Sequence, residues 1–272
     1  MNKISILGCG WLGLPLAKFL IEQGFEVKGS TATRDKLSDL KSKGIEQYYV
    51  NLSPEINPDF DPEFFNTDML IINFPPQRRE NIVSYHQNQI RSLVGQIKNS
   101  PIEYMLFVSS TSVYPDLNRE VKESETEKPT KESGKALIKV ENILMNLENV
   151  ETTVLRLAGL IGYDRMPGRF LSGKRGIKNG NAPVNLIHRD DCIFIIHQII
   201  SQGVWGEVLN GCSDEHPLRK DYYTHQAKLI GADPPDFDDS DVPNYKIISN
   251  KKLKKILDYD FKYPDPSKIE DI

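Results

Sequence analysis

Three glycines near the N-terminus constrain the fold more than any other feature of the sequence. Gly8, Gly10 and Gly13 have the spacing GxGxxG. They directly follow an apolar run over residues 4–7 and open a helical pattern. In this context the first glycine permits a tight turn, the second lets the backbone approach a pyrophosphate, and the third lets helix and strand pack closely. The segment therefore predicts a dinucleotide-binding turn.

Short apolar runs alternate with amphipathic stretches along most of the chain. Such alternation is typical of a doubly wound parallel sheet covered by helices, which is an α/β fold. Helices with one apolar face are predicted over residues 12–23, 80–98 and 131–147. Strands are predicted over residues 3–7, 25–29, 47–50, 68–73, 104–109, 152–157 and 204–210.

The composition changes after about Gly159. Glycine and arginine then become frequent, and from Pro217 onward the chain is polar and contains several prolines. This shift indicates a second, smaller lobe that faces the substrate. We expect residues 1–160 to form the dinucleotide-binding domain, with 187–212 returning to it, and residues 161–272 to form mainly the smaller lobe.

Composition excludes several classes of protein. Of the 272 residues 39% are hydrophobic, which suffices for a substantial core, and 34 basic against 38 acidic residues give a formal charge of -4. A broad basic surface for nucleic acid is therefore not expected. Uninterrupted apolar runs reach only five residues, and the three cysteines form no CxxC pair. We expect a cytoplasmic protein with reduced thiols and without a metal, a nucleic-acid partner or a membrane partner.

The residues after the second predicted strand indicate which dinucleotide binds. A site for NAD usually has Asp or Glu there, bonded to the ribose hydroxyls. This chain has Ser30, Thr31 and then Arg34, with no acid between them. Hydroxyls and a guanidinium suit a 2'-phosphate. We therefore favour NADP over NAD, with Arg34 as an ordinary surface residue as the alternative.

Further cofactor contacts are expected from topology. The ends of the third and fourth strands of a doubly wound sheet lie beside the adenine and the nearer ribose, and the glycine turn lies beside the phosphates. The residues at these positions are Asn51, Leu52, Phe74 and Pro75 after the strands, and Trp11 and Leu12 in the turn.

Four later segments resemble, in order, those of a known superfamily. They are FVSSTSVY at 107–114, LRLAGLIG at 155–162, NLIHRDD at 185–191 and NG at 210–211. The chain resembles the extended short-chain dehydrogenases/reductases, in particular the NAD-dependent epimerase/dehydratase group, whose segments are SSxxxVYG, RxxxxYG, VHxxD and YNxG. The resemblance covers nearly the whole chain. It implies a Rossmann-type doubly wound sheet with a small C-terminal substrate lobe.

The resemblance also implies roles for residues at the end of the fifth strand. Ser110, four residues before Tyr114, matches the catalytic Ser or Thr that hydrogen-bonds the substrate oxygen. Ser109 would then lie beside the cofactor and Thr111 beside the substrate. Tyr114 is the phenol nearest to the expected nicotinamide, so it is a second catalytic candidate. A strand-capping role for Ser110 and a packing role for Tyr114 are the alternatives.

The acid–base pair of the superfamily is missing. Its members place a YxxxK pair on one face of the following helix, where the lysine lowers the pKa of the tyrosine. The matching positions here hold Ser133 and Leu137, and none of the 11 tyrosines has a lysine four residues later. The chain is therefore expected to be an atypical member.

Substrate contacts are expected from the smaller lobe. Arg165 and Arg169 lie in a loop rich in glycine and proline, and guanidinium groups suit carboxylates or phosphates. Ordinary surface charge is the alternative. His188 matches a histidine that supports the substrate lobe in the superfamily, with proton transfer as the alternative.

The sequence thus predicts an NAD(P)-dependent oxidoreductase, similar to epimerases and dehydratases, that acts on a small anionic or sugar-derived substrate. The alternative is a non-catalytic NAD(P)-binding protein that senses redox state and reports it to a protein partner. A homodimer through helix 80–98 or helix 131–147 is left open.

Overall fold

The computed structural model describes residues 2–238, 240 and 242–269. Its strands are β1 (Lys3–Leu7), β2 (Glu26–Thr31), β3 (Glu46–Tyr49), β4 (Met69–Ile72), β5 (Tyr104–Ser110), β6 (Glu120–Val121), β7 (Glu151–Leu157), β8 (Gly159–Ile161), β9 (Leu186–His188), β10 (Val208–Gly211) and β11 (Ile247–Ile248). Its α-helices are α1 (Gly13–Glu22), α2 (Leu37–Ser42), α3 (Ile82–Ile97), α4 (Glu132–Met145), α5 (Arg189–Gln202), α6 (Arg219–Leu229) and α7 (Lys251–Leu257).

A seven-stranded sheet organises the fold, with the strand order β10-β7-β5-β4-β1-β2-β3. Strand β1 pairs in parallel with both β2 and β4, so the chain order reverses direction at β1. In doubly wound sheets, ligands bind beyond the carboxyl ends of the strands at such a switch point. The predicted α/β, doubly wound parallel fold is confirmed.

The core lies around the central strands. The side chains of β4, from Met69 to Ile72, are fully buried, as are Ile4 and Ile6 on β1. Strands buried on both faces are typical of parallel sheets covered by helices on each side. The sheet is therefore most completely buried at its centre, where β1 leads directly into the glycine turn.

Each covering helix contributes one apolar face. Leu16, Ala17 and Leu20 of α1 are fully buried, one helical turn apart. The helix ends before Gly24, whose φ of +92° is a conformation that glycine adopts without strain. Two of the other helices, α3 and α4, bury polar residues on the same face as their apolar ones.

The predicted elements agree with the structure in type, and their ends differ by a few residues. The strand predicted over 204–210 begins only at Val208, because Gly203 and Gly206 have φ of +65° and +74° and form a turn first. The second strand extends to Thr31 rather than ending at residue 29.

The chain divides into two compact units. The first contains Met1–Val113, Pro129–Arg156 and Ile196–Val208, and therefore includes the glycine turn and β1 to β5. The second contains Tyr114–Lys128, Leu157–Ile195 and Leu209–Ile272. Within it, β8 pairs in parallel with β9, and β6 with β11. The domain boundary near residue 160 stays a prediction.

Two kinds of feature are absent from the described residues. No helix among them is both long and apolar enough to cross a membrane. No group of three or more His, Cys, Asp or Glu side chains in this part of the chain could hold a metal ion.

A buried ion pair connects α4 to the sheet. Glu141 of α4 receives hydrogen bonds from the Arg156 guanidinium of β7, with Nη2 to Oε2 at 2.6 Å. The Ser109 hydroxyl of β5 donates to Oε1 of the same carboxylate at 2.5 Å. All three side chains are buried. The carboxylate thereby joins two strands and a helix in the first unit.

Replacing Glu141 with Gln should destabilise the fold. Arg156 would lose its carboxylate partner in a buried environment, which costs about 3–5 kcal/mol. The free energy of unfolding from urea titration measures this. Glu132→Gln on the same helix is the matched control, because Glu132 pairs with Lys135 on the surface and should cost less than about 0.5 kcal/mol. Equal costs for the two variants would contradict the prediction.

Candidate functional site

The glycine turn between β1 and α1 depends on two close backbone contacts. Gly8 has a φ of +107°, and a Cβ at this residue would lie 2.5 Å from the Asn73 carbonyl oxygen. A Cβ at Gly13 would overlap the Gly8 carbonyl oxygen. The Asn73 side chain donates from Nδ2 to the Gly8 oxygen at 3.0 Å. Only glycine allows β1, α1 and the end of β4 to approach each other this closely.

Gly10, unlike Gly8 and Gly13, is not crowded by neighbouring atoms. It is exposed, and no heavy atom lies within 4 Å of a Cβ built on it. No side chain caps the start of α1 at Leu12, and the first turn of α1 contains no acidic residue. The positive end of the helix is therefore available to an anion beside this open space. These features fit the pyrophosphate of a dinucleotide.

Ser30, at the end of β2, holds the turn in place. Its hydroxyl accepts from the Gly8 amide at 3.2 Å, and its carbonyl accepts from the Cys9 amide at 2.8 Å. Burial raises the pKa of the Cys9 thiol to about 12, so this cysteine is protonated at neutral pH. The Thr31 hydroxyl accepts from the amide of Thr33. Both hydroxyls named as cofactor contacts are thus engaged by the backbone.

A pocket of about 240 Å³ opens beside the turn at the carboxyl ends of β1 to β4. It brings together six of the residues predicted to contact a dinucleotide. The full lining is Leu7, Gly8, Ser30, Ala32, Val50, Asn51, Leu52, Phe74, Pro75, Gln77 and Gln89. Because residues from four strand ends converge here, the pocket lies where the adenosine half of a dinucleotide would bind.

Two glutamines of this pocket, Gln77 and Gln89, were not predicted from the sequence. The side chain of Gln89, on α3, is buried and donates to the Leu52 carbonyl at 2.8 Å. Its Oε1 lies 3.1 Å from Nδ1 of His86, whose pKa is lowered by burial. Both residues occupy positions on the apolar face of α3, and a polar residue on such a face is the signal that could have identified Gln89. Gln77, on the loop after β4, gives no comparable signal.

Arg34 lies on the surface after β2. Its guanidinium forms an ion pair with Asp59, and it lies over the ring of Tyr49 with 4.0 Å between Cζ and the ring centroid. Neither partner could be identified from the sequence, because Asp59 is 25 positions away in a loop.

Ser109, Ser110 and Thr111 lie at the carboxyl end of β5, in the same unit as the pocket. Ser110 is half-buried, and its hydroxyl accepts from the Ser112 amide at 3.2 Å. Ser109 is bonded to Glu141, and Thr111 is buried. The positions expected for a tyrosine and a lysine hold a half-buried Ser133 and a buried Leu137. Neither can transfer a proton as a phenol–lysine pair does.

Tyr114 belongs to the second unit and is buried there. Its hydroxyl lies 2.8 Å from Oδ1 of Asn210, to which it donates. The side-chain Nδ2 of Asn210 donates to the Ser249 carbonyl at 3.1 Å, and the backbone amide of Asn210 donates to Oε1 of Glu123 at 2.9 Å. These contacts give the Tyr114 hydroxyl a position inside a structural network. A catalytic role for Tyr114 stays a prediction.

His188 ends β9 and lies between two aromatic rings. The ring centroids of Tyr263 and Tyr163 are 3.9 and 5.6 Å from that of His188. Its Nδ1 accepts from the Asp190 amide at 3.2 Å, which places the proton of the neutral ring on Nε2. Burial lowers the pKa of His188. The imidazole is therefore held neutral and closely packed.

The two aspartates after His188 anchor the C-terminal segment of the second unit. Asp190 accepts from the Tyr163 hydroxyl at 2.8 Å and pairs with Lys262 at 3.0 Å. Asp191 accepts from the Tyr259 hydroxyl and the Lys262 amide, both at 2.7 Å. The segment that resembles VHxxD thus binds residues 259–263 to the start of α5.

Arg165 and Arg169 are both exposed on the loop after β8. The Arg165 amide donates to the Gly162 carbonyl, and Arg169 ends a short turn, Pro167–Arg169. This turn packs on α6, since a Cβ at Gly168 would be 2.8 Å from the Gln226 carbonyl carbon. The loop thus has a defined backbone and carries two exposed arginines. Their contact with an anionic substrate stays a prediction.

The stability of the chain should fall in mild acid. Burial lowers the pKa of His188 and also of His86, His197 and His216 below the ordinary 6.5. The unfolded chain then binds protons at a higher pH than the folded chain, so the free energy of unfolding decreases as pH falls through about 6.5. Urea titrations between pH 8 and 5 measure this. His188→Gln should reduce the slope, and an unchanged slope would contradict the prediction.

Comparison with known proteins identifies a relative by sequence and several structures of similar fold. No family model matches the chain. The chain is 36% identical over 269 residues to the protein YeeZ of Escherichia coli K12, with 98% of each covered. The UDP-glucuronic acid 4-epimerase of Bacillus cereus, solved with NAD, superposes with a TM-score of 0.79 at 16% identity, covering 98% of this chain and 95% of that one. A short-chain dehydrogenase/reductase superfamily protein of Agrobacterium tumefaciens, with bound NAD, gives 0.75 at 15% identity, covering 96% and 93%.

Proposed function

This chain belongs to the family of Escherichia coli YeeZ and has the fold of the short-chain dehydrogenases/reductases, and we propose that it binds a nicotinamide dinucleotide and acts as an oxidoreductase on a small molecule. The similar structures from Bacillus cereus and Agrobacterium tumefaciens contain NAD. Residues in this chain fit the same class of cofactor, because the space at Gly10 suits a phosphate and the pocket beside it suits an adenosine.

The open space at Gly10 is the observation that carries the proposal. Gly8 and Gly13 are fixed by packing, whereas a Cβ at residue 10 would meet no heavy atom of the described residues within 4 Å. A missing side chain at an exposed residue before an uncapped helix leaves room for a phosphate against the backbone. The pocket lined by Asn51, Leu52 and Phe74 lies next to it and would hold the adenosine.

In this proposal the turn, with Trp11 and Leu12, holds the pyrophosphate, and Arg34 is the cation that favours a 2'-phosphate and hence NADP. A bound nicotinamide would supply the hydride donor or acceptor. Ser110 would orient the substrate oxygen through its hydroxyl, which lies at the carboxyl end of β5. Arg165 and Arg169 would bind an anionic group of the substrate.

Proton transfer must differ from that of the typical superfamily members. Leu137 is only 2% exposed and lies in the packed face of α4, so the usual lysine has no counterpart at that position. This observation favours a second candidate function, in which the protein binds the dinucleotide without turnover and reports its redox state to a protein partner. Oxidation of bound NADPH with a panel of aldehydes, ketones and sugar nucleotides distinguishes the two functions.

Gly10→Ala tests the proposed cofactor site. The added methyl group lies where the pyrophosphate would approach, so the dissociation constants for NADPH and NADH should both rise at least about tenfold. Nicotinamide fluorescence during titration measures them. Because the Cβ meets no protein atom within 4 Å, the free energy of unfolding should change by less than about 0.5 kcal/mol.

Gly95→Ala is the matched control. Gly95 is exposed on α3, and a Cβ there also meets no heavy atom within 4 Å. It should leave both dissociation constants unchanged and stabilise the helix by about 0.5–1 kcal/mol. If the wild-type chain binds neither nucleotide at millimolar concentration, or if Gly10→Ala binds as the wild type does, the proposal is wrong.

A further inference from the structure

A chain of side-chain contacts connects the surface beside β2 to the dinucleotide pocket. Arg34 pairs with Asp59, and Nδ2 of Asn57 donates to Oδ1 of Asp59 at 2.9 Å. Oδ1 of Asn57 accepts from the Asn51 amide at 2.7 Å. Asn51 lines the pocket. The charged pair is thereby held at the edge of the pocket rather than on an unrelated part of the surface.

The position of the Arg34 guanidinium is also fixed by an aromatic ring. It lies over Tyr49, the last residue of β3, with Cζ 4.0 Å from the ring centroid. Stacking of this kind orients the plane of the guanidinium. Arg34 follows Ala32, another residue of the pocket lining, by two positions. One face of the guanidinium therefore rests on the ring, and Asp59 occupies part of its hydrogen-bonding edge.

The surroundings of Asp59 lower its pKa and so favour the ionised carboxylate. The hydrogen bond from Asn57 is the largest of the effects that lower its pKa, and the Arg34 guanidinium lowers the pKa further. The Asp59 carboxylate is thus already paired with the guanidinium that a 2'-phosphate would need. A ribose with a free 2'-hydroxyl can bind while the pair remains intact, whereas a 2'-phosphate must displace Asp59 and meets its negative charge.

We propose that Asp59 is a specificity-determining residue that acts on the dinucleotide through Arg34. It lowers the preference for NADP that Arg34 alone would give and keeps NAD competitive. This inference rests on the proposed function, since it assumes that a dinucleotide binds in the pocket. It assigns to Asp59 a positioning role and no part in the chemistry.

The test compares NADPH and NADH binding in four proteins by fluorescence titration at low salt. Asp59→Asn should tighten NADPH binding about tenfold, since Arg34 is released for a charge-assisted bond to the phosphate, and should leave NADH within about twofold. Arg34→Ala should weaken NADPH selectively. In the double variant, the effect of Asp59→Asn on the NADPH to NADH ratio should fall to about twofold or less, because Arg34 no longer transmits it.

Asp39→Asn is the control for net charge, because Asp39 pairs with Lys43 on the surface of α2 in the same unit. It should leave the ratio unchanged. The inference is overturned if Asp59→Asn leaves the ratio of NADPH to NADH affinity unchanged, or if its tenfold effect is the same with and without Arg34. In either case, binding of NADH and NADPH by the wild type still supports the proposed function. A wild type that binds neither nucleotide overturns both.

Discussion

The close approach of β1 to the end of β4 is the contact around which the candidate cofactor site is built. The Asn73 amide donates to the Leu7 carbonyl at 2.9 Å, and the Asn73 side chain donates to the Gly8 carbonyl at 3.0 Å. These bonds bring two strand ends together at the switch point of the sheet, where side chains at residues 8 and 13 would collide with backbone or with Asn73. The pocket, the uncapped start of α1 and the Ser30 contacts all lie beside this approach.

Much of the first unit could be predicted because its strands are buried apolar runs. Strand β1 has the predicted bounds, and the predicted helices differ from α1, α3 and α4 by one or two residues at each end. Strand ends that depend on glycine conformation could not be predicted, as Gly203 and Gly206 show before β10. Helix α6 gave no signal because it is polar and buries only Tyr222, Gln226 and Ala227.

The candidate site also contains some residues that could be predicted from the sequence and some that could not. Residues that directly follow a strand, such as Asn51 and Phe74, could be named from topology, because parallel strands end at one edge of the sheet. Gln89 and Asp59 could not, because each acquires its role through a partner 37 or 25 positions away. A single sequence contains no record of such distant pairings. The spacing predicts Leu137 at the position of the usual lysine, and only the packing of α4 shows how deeply that side chain is buried.

The carboxylate of Glu141 limits how this chain could acquire new chemistry. Leu137 lies one helical turn before Glu141, so a lysine placed there would face the carboxylate that holds Arg156 and Ser109. The added cation would compete with Arg156, and the strands joined by that carboxylate would lose part of their connection. Engineering the usual tyrosine and lysine into α4 is therefore not a local exchange. It would require a redesign of the polar interior between helix and sheet, with Glu141 changed first.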